Sequence, residues 1–210
     1  MTSDLTVHVI DDDDAARESL TFLLRTAKYS VYNYNSAVTF LKSLPSIEGG
    51  CIITDLRMPE MSGLDLVHYL KSHANSLPVV VVTGQGDVSL AIEALKAGAL
   101  DFIEKPYDAE SLLGAVRSAF GGRLNDATQD AKRTDFQQKM ETLSPVERQV
   151  LSALVAGQPN MAVAFDLRIS PHAVEMSRAS IMTKLQATSL SQLVRLSLLA
   201  GDKPPFLTKS

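Results

Sequence analysis

The stretch CIITD, Cys51–Asp55, is a run of apolar and β-branched residues that ends on a carboxylate. Such a run predicts a buried β-strand that delivers Asp55 to a loop. A similar strand at residues 5–10 delivers Asp11 and Asp12 to its own carboxyl end. In an open parallel sheet, ligands bind at the carboxyl ends of the strands. Because carboxylates that meet there repel one another, the sequence predicts a divalent cation beside Asp55.

Short apolar strands alternate with amphipathic helices through residues 1–120. This alternation predicts a doubly wound α/β domain with a five-stranded parallel sheet, because parallel neighbours need crossover connections. The predicted strands are Leu5–Ile10, Val31–Tyr34, Cys51–Thr54, Val79–Thr83 and Leu100–Ile103. The predicted helices are Ala15–Thr26, Ala37–Leu44, Gly63–Ser72, Val88–Ala97 and Ala109–Phe120.

The character of the chain changes at residue 121. Residues 121–142 are polar with few apolar anchors, and they are predicted to form a linker that is partly helical. Residues 143–210 are predicted to form an all-α domain, whose first helix begins with Ser144, Pro145 and Glu147 in the pattern of a capping box. A short helix, a turn and a longer helix opened by Pro171 have the spacing of a helix-turn-helix.

Charge and composition bound the class of protein. Residues 1–120 carry a net charge of −7 and residues 121–210 one of +3, which predicts different partners for the two parts. No apolar stretch is long enough to span a membrane, and a single cysteine excludes an intramolecular disulfide framework. These features predict a cytoplasmic protein that has no membrane partner.

Four predicted strand ends supply complementary chemical groups. Asp11 and Asp12 suit Mg²⁺, a hard ion that takes oxygen ligands. The Thr83 hydroxyl is placed to donate to a phosphoryl oxygen, and the Lys105 ammonium to pair with Asp55 or its acyl phosphate. Together these groups predict phosphoryl transfer to a carboxylate.

The segments Val9–Asp12, Thr54–Pro59, Val82–Gly84 and Glu104–Pro106 resemble the signature of response-regulator receiver domains, which have a flavodoxin-like fold. The resemblance implies that Asp55 is the phospho-acceptor and that Thr83 and Lys105 contact the phosphoryl group. It also implies a site for Mg²⁺ (or Mn²⁺), a switching aromatic residue and a cis Lys105–Pro106 bond. The implied metal site consists of Asp12 as a direct ligand, Asp11 as an outer-sphere or second ligand, Asp55 and the backbone carbonyl of Arg57, and the implied switching aromatic is Phe102.

The segments Leu143–Leu151, Ile169–Glu175 and Ile181–Leu185 resemble LuxR-type DNA-binding domains, and the pair of domains resembles the FixJ/NarL class of transcription factors. On the second helix of the helix-turn-helix, Val174, Ile181 and Leu185 are predicted to pack inward. The residues predicted to face DNA are His172, Glu175, Met176, Arg178, Ala179 and Lys184. Met161, His172 and Ser177 depart from the residues usual in the class, so this unit has fewer cations facing DNA.

The resemblance implies a response-regulator transcription factor that performs self-catalysed phosphorylation and slow dephosphorylation but is not an enzyme. Its implied partners are a sensor histidine kinase of the FixL type, promoter DNA, RNA polymerase and a second phosphorylated copy of the chain. The implied dimer interface includes Ile92 and Lys96. The resemblance further implies activation of nitrogen-fixation genes. The alternative is a regulator whose helical domain docks on proteins rather than on DNA.

Overall fold

The computed structural model describes residues 5–84, 87–121 and 134–200 of the 210-residue chain. The chain divides into two compact units, Met1–Gly122 and Arg123–Ser210. No helix within the three described ranges is both long enough and apolar enough to cross a lipid bilayer.

The first unit contains a five-stranded parallel sheet with the strand order β2-β1-β3-β4-β5. The strands are β1 (Thr6–Ile10), β2 (Ser30–Tyr34), β3 (Cys51–Asp55), β4 (Val79–Thr83) and β5 (Asp101–Glu104). The helices are α1 (Asp14–Thr26), α2 (Ala37–Ser43), α3 (Gly63–Ser72), α4 (Val88–Ala97) and α5 (Ala109–Phe120), with a 3₁₀ turn at Leu44–Ser46. The predicted doubly wound α/β fold is therefore confirmed, and each predicted boundary lies within one residue of the observed one.

The core of the first unit lies on both faces of the sheet. Leu24 of α1 and Leu112 of α5 pack with Val80 and Val82 in one cluster. On the opposite face, Val81 is also fully buried. All five residues of β4 are buried, as expected for a central strand covered by helices on both sides.

Local sequence signals place the loops that surround the strand ends. The Asp13 side chain caps α1 by accepting a hydrogen bond from the Ala16 amide at 2.7 Å. Ser62 and Asp65 form a capping box at the start of α3. A Cβ atom at Gly63 would lie 2.3 Å from the carbonyl oxygen of Asp55. Because only glycine fits there, Gly63 allows α3 to begin directly against the backbone of Asp55.

The second unit is all-helical in its described part. Residues 134–140 are helical (α6), followed by α7 (Pro145–Ala156), α8 (Asn160–Leu167), α9 (Pro171–Lys184) and α10 (Leu190–Leu199). Phe136 is only 1% exposed, so part of the stretch that was predicted as a linker belongs to the buried hydrophobic residues of the second unit. Residues 122–133 of that stretch lie outside the described residues. The predicted domain limits, residues 1–120, 121–142 and 143–210, stay a prediction.

Candidate functional site

The carboxyl ends of four adjacent strands bring the predicted site residues to one edge of the sheet. Asp11 follows β1, Asp55 ends β3, Thr83 ends β4 and Lys105 follows β5. These strands are neighbours in the order β1-β3-β4-β5. Four residues separated by up to 94 positions in the sequence are therefore assembled by the strand order alone.

The ammonium of Lys105 lies between two of these carboxylates. Its Nζ donates to Asp55 Oδ1 at 2.7 Å and to Asp11 Oδ2 at 3.4 Å. Burial by itself lowers the pKa of Lys105, but its hydrogen bonds and attraction to Asp55 and Asp11 outweigh burial and raise that pKa. The lysine is thus a permanent positive charge inside the acidic cluster. The Lys105–Pro106 peptide bond is cis.

The carboxylate of Asp55 is held through both of its oxygens. Oδ2 accepts a hydrogen bond from the Arg57 amide at 2.6 Å, and Oδ1 accepts the bond from Lys105. The Asp55 side chain is 12% exposed, so the carboxylate is oriented by the protein and still reaches solvent. This combination suits a nucleophile that an external donor must approach.

Asp11 and Asp12 differ in burial. Asp11 is 2% exposed, and burial raises its pKa although the Asp13 amide and Lys105 act in the opposite direction. Its Oδ1 accepts from the Asp13 amide at 2.9 Å, whereas Asp12 is exposed. One of these acids is therefore fixed in the cluster and the other is open to an incoming ion.

The residues at this edge fit a hard divalent ion by their chemistry. Among the residues that the structure describes, no three or more His, Cys, Asp or Glu side chains converge as a preformed metal site. Mg²⁺ retains several waters and is commonly held by one or two carboxylates, so it does not require such convergence. The oxygens that would hold it are carboxylates of Asp12 and Asp55 and the carbonyl of Arg57, and the outer role of Asp11 stays a prediction.

Thr83 and Phe102 are buried residues of the neighbouring strands β4 and β5. Thr83 is fully buried, and its Oγ1 lies 3.4 Å from the carbonyl oxygen of Gly84, a weak hydrogen bond. Phe102 is 6% exposed and pairs in register with Val81 of β4. Contact of Thr83 with a phosphoryl group and switching by Phe102 stay predictions.

Arg57 and Asp87 form an ion pair that sequence reasoning missed. Arg57 Nε donates to Asp87 Oδ2 at 2.7 Å, and Nη2 pairs with the other carboxylate oxygen. Asp87 precedes α4 but makes no capping hydrogen bond there, and its pairing with Arg57 lowers its pKa. An aspartate directly before a helix usually caps that helix, so the sequence would predict a capping role for Asp87. No sequence pattern indicates that Asp87 instead joins the start of α4 to the loop after β3.

The prediction that Ile92 lies in a dimer interface stays a prediction, and in this conformation the side chain is buried. Ile92 is 1% exposed because it lies on the face of α4 that packs inward, together with Ala91 and Leu95. Lys96, on the same helix, is exposed. In this conformation Lys96 is therefore the accessible member of the predicted pair.

Helix α9 presents most of the predicted DNA-facing residues to solvent. Its buried face carries Val174 and Ile181, as predicted, and Leu185 directly after the helix is also buried. Arg178 is half-buried. The exposed predicted residues are His172, Glu175, Met176, Ala179 and Lys184.

Lys184 is tied to the helical unit itself. Its Nζ lies 2.7 Å from Glu147 Oε2 and 2.9 Å from Glu147 Oε1, and Ser180 Oγ donates to the same carboxylate at 2.6 Å. The hydrogen bond from Lys184 is the main reason that the pKa of Glu147 falls to about 2. The interaction joins α9 to the start of α7, so the ammonium is engaged within the protein, and its contact with a DNA phosphate stays a prediction.

Two protein-family models match the chain. "Response regulator receiver domain" covers residues 7–117, and "Bacterial regulatory proteins, luxR family" covers residues 141–197. The transcriptional regulatory protein FixJ of Azorhizobium caulinodans is 48% identical over 204 residues, 97% of each chain. FixJ of Rhizobium meliloti is 44% identical over 202 residues, which are 96% of this chain and 99% of the relative.

Solved structures agree with these matches. Full-length FixJ from B. japonicum is 42% identical, with a TM-score of 0.57 over 95% of this chain and 98% of that one. The structure named FixJ-N is 41% identical, with a TM-score of 0.56, and covers 59% of this chain and 98% of its own. The chain belongs to the response regulators that act as transcription factors, with a receiver domain followed by a LuxR-type helix-turn-helix DNA-binding domain.

Proposed function

We propose that this response regulator is switched by transfer of a phosphoryl group from a sensor histidine kinase to Asp55. The phosphorylated chain dimerises and binds promoter DNA through α8 and α9. By resemblance to regulators of nitrogen fixation, the kinase is of the FixL type, and the bound regulator activates transcription by RNA polymerase. The single observation that carries the proposal is the Asp55 carboxylate, which is oriented through Arg57 and Lys105 yet still open to solvent.

The chemistry follows from the groups at the strand ends. An oxygen of Asp55 forms a bond to phosphorus while the bond from phosphorus to the kinase histidine breaks, and that bond's electron pair returns to the imidazole. Lys105 is already paired with Asp55 and balances charge on the acyl phosphate. When bound, Mg²⁺ (or Mn²⁺) supplies positive charge for the phosphoryl oxygens. The buried Thr83 hydroxyl supplies a donor for one of those oxygens after a small rearrangement.

Dimerisation is the step that converts this local charge into DNA binding. Lys96 is exposed on α4 and is proposed as part of the surface that meets a second copy. Two linked helix-turn-helix units bind two half-sites with far greater avidity than one unit binds one. The same residues give slow self-catalysed loss of the phosphoryl group, so Asp55 serves as a switch rather than as a turnover site.

The experiment uses the full chain, acetyl phosphate and Mg²⁺. The wild-type protein is expected to gain the mass of one phosphoryl group and then to shift a duplex enriched from a random-sequence pool in a native gel. Asp55→Asn should show neither change, whereas Glu18→Gln, which alters an exposed carboxylate on α1, should behave as wild type. Phosphorylation without any duplex shift would instead favour protein docking by the helical unit, and phosphorylation of Asp55→Asn would contradict the proposed acceptor.

A further inference from the structure

The exposed face of α9 forms a continuous stripe. Its members recur at intervals of three and four residues, so they lie within one narrow sector of the helix, opposite the buried Val174 and Ile181. Ser170 caps the helix, and Pro171 is its first residue, so the stripe starts at a well-defined end. The stripe consists of His172, Glu175, Met176, Ala179 and Thr183, all exposed.

The stripe carries no lysine or arginine. The two cations of α9 lie to its sides: Arg178 is half-buried, and the Lys184 ammonium is held by Glu147. The Glu175 carboxylate has no hydrogen-bond or ion-pair partner among the described residues. Met176 is 59% exposed although it is apolar. The surface that a major groove would meet is therefore acidic and apolar at its centre.

We propose that this stripe reads cytosine and thymine, with Glu175 accepting a hydrogen bond from the exocyclic amino group of cytosine. Met176 and Ala179 contact thymine methyl groups beside it. The inference rests on the proposed function, because it assigns base preferences to the helix that is proposed to enter the major groove. Guanine is commonly read by a bidentate Arg or Lys, and this stripe contains neither.

The choice of cytosine follows from what each base presents in the major groove. A carboxylate is only an acceptor, and cytosine presents its N4 amino donor without an adjacent acceptor. Adenine places the N7 acceptor beside its N6 donor, so its N7 lone pair repels a carboxylate. Guanine and thymine present only acceptors to hydrogen bonding, which leaves the charge of Glu175 desolvated and unpaired. Glu175 thus selects by attraction to one base and by repulsion of the other three.

The decisive experiment is a change of base preference, not a loss of binding. Duplexes are selected from a random pool with acetyl-phosphate-treated full-length wild type and with Glu175→Gln. Glutamine pairs in a bidentate manner with adenine. One position of each half-site should therefore prefer cytosine by about fivefold or more in wild type and adenine in Glu175→Gln. Glu141→Gln, which removes an equal charge from an exposed site outside the stripe, should leave that position unchanged.

The apolar part of the stripe has its own test on the selected duplex. Replacing single thymines by deoxyuridine removes only the 5-methyl group. At one or two positions beside the cytosine, this change should weaken wild-type binding about fourfold, the value of one buried methyl group. In Met176→Ser, the effect should disappear at one of these positions.

The outcomes separate the inference from the function on which it rests. A selected site whose Glu175-dependent position holds guanine, adenine or thymine on the contacted strand overturns the inference while DNA binding stands. The same holds if wild type and Glu175→Gln show the same base preference at every position of the site. Failure to enrich any duplex overturns both.

Discussion

Each unit of this chain contains a lysine between carboxylate oxygens, and the two arrangements differ in what they leave open. Lys105 in the receiver domain is shared by two acids from different strand ends, at 2.7 and 3.4 Å. Lys184 in the helical unit faces both oxygens of a single acid, Glu147, at 2.7 and 2.9 Å. In the first arrangement, called the open site below, one ammonium is shared by two carboxylates. In the second, called the closed site, one ammonium pairs with one carboxylate.

The difference separates a functional cluster from a structural tie. Both carboxylate oxygens of Glu147 accept hydrogen bonds, from the Ser144 amide, the Ser180 hydroxyl and the Lys184 ammonium. Around Lys105, two carboxylates, those of Asp11 and Asp55, share a single ammonium. A site with excess carboxylate can accept a cation or exchange a partner, whereas a satisfied site only holds two helices together.

The largest effect on stability is expected at the closed site. Glu147→Ala removes the capping box of α7 and both oxygens that hold Lys184, at a cost of about 3 kcal/mol to the second unit. Hydrogen exchange of the full chain, read from peptides of α7 and α9, measures this loss. Glu141→Ala changes an exposed glutamate nearby and should cost little. Protection that is equal in the two variants would show that the tie is not structural.

A smaller loss, with a different response to metal, is expected at the open site. Lys105→Met removes the charge that balances Asp11 and Asp55 and should cost the receiver domain about 1 to 2 kcal/mol in EDTA. Because a divalent cation then replaces the missing charge, Mg²⁺ should stabilise this variant more than it stabilises wild type.

Thermal unfolding with and without Mg²⁺ measures that difference. Lys42→Met, at an exposed lysine of α2, should respond to Mg²⁺ as wild type does. Glu147→Ala should gain no additional stabilisation from the ion. An equal gain for Lys105→Met and wild type would contradict the comparison between the open and closed sites.

A third effect, about as small as the loss expected from Lys105→Met, is a dependence of the second unit on acid. The pKa of Glu147 is about 2 in the folded chain and 4.5 without these contacts, so its contribution is present above pH 4.5 and is lost as pH falls towards 2. About 1 to 2 kcal/mol should be lost over that window, because the partly exposed Lys184 is screened by solvent. Glu147→Gln should flatten this part of the pH profile in hydrogen exchange of α7. An unchanged slope would assign the acid sensitivity to other groups.

The receiver site could be predicted from the sequence because its chemistry follows directly after regular strands. Asp55 and Lys105 each adjoin a short apolar run, and a parallel sheet must gather such positions at one edge. Ile92, Asp87 and Lys184 were not foreseen in the same way. Each lies on or beside a helix, where a small rotation or a partner distant in sequence decides whether a side chain is buried, paired or exposed.

The amino-acid sequence by itself determined the alternation of strands and helices, the caps and the family motifs, because these depend on local periodicity and on backbone hydrogen bonding. Only the tertiary structure decided that Arg57 pairs with Asp87 and that Lys184 pairs with Glu147. Charge pairs form across long sequence separations when packing brings the elements together, and no local pattern encodes that distance. The absence of lysine and arginine from the stripe of α9 was by contrast determined by the sequence and the helical period, and the tertiary structure added that Lys184 is held by Glu147 and that Glu175 is exposed.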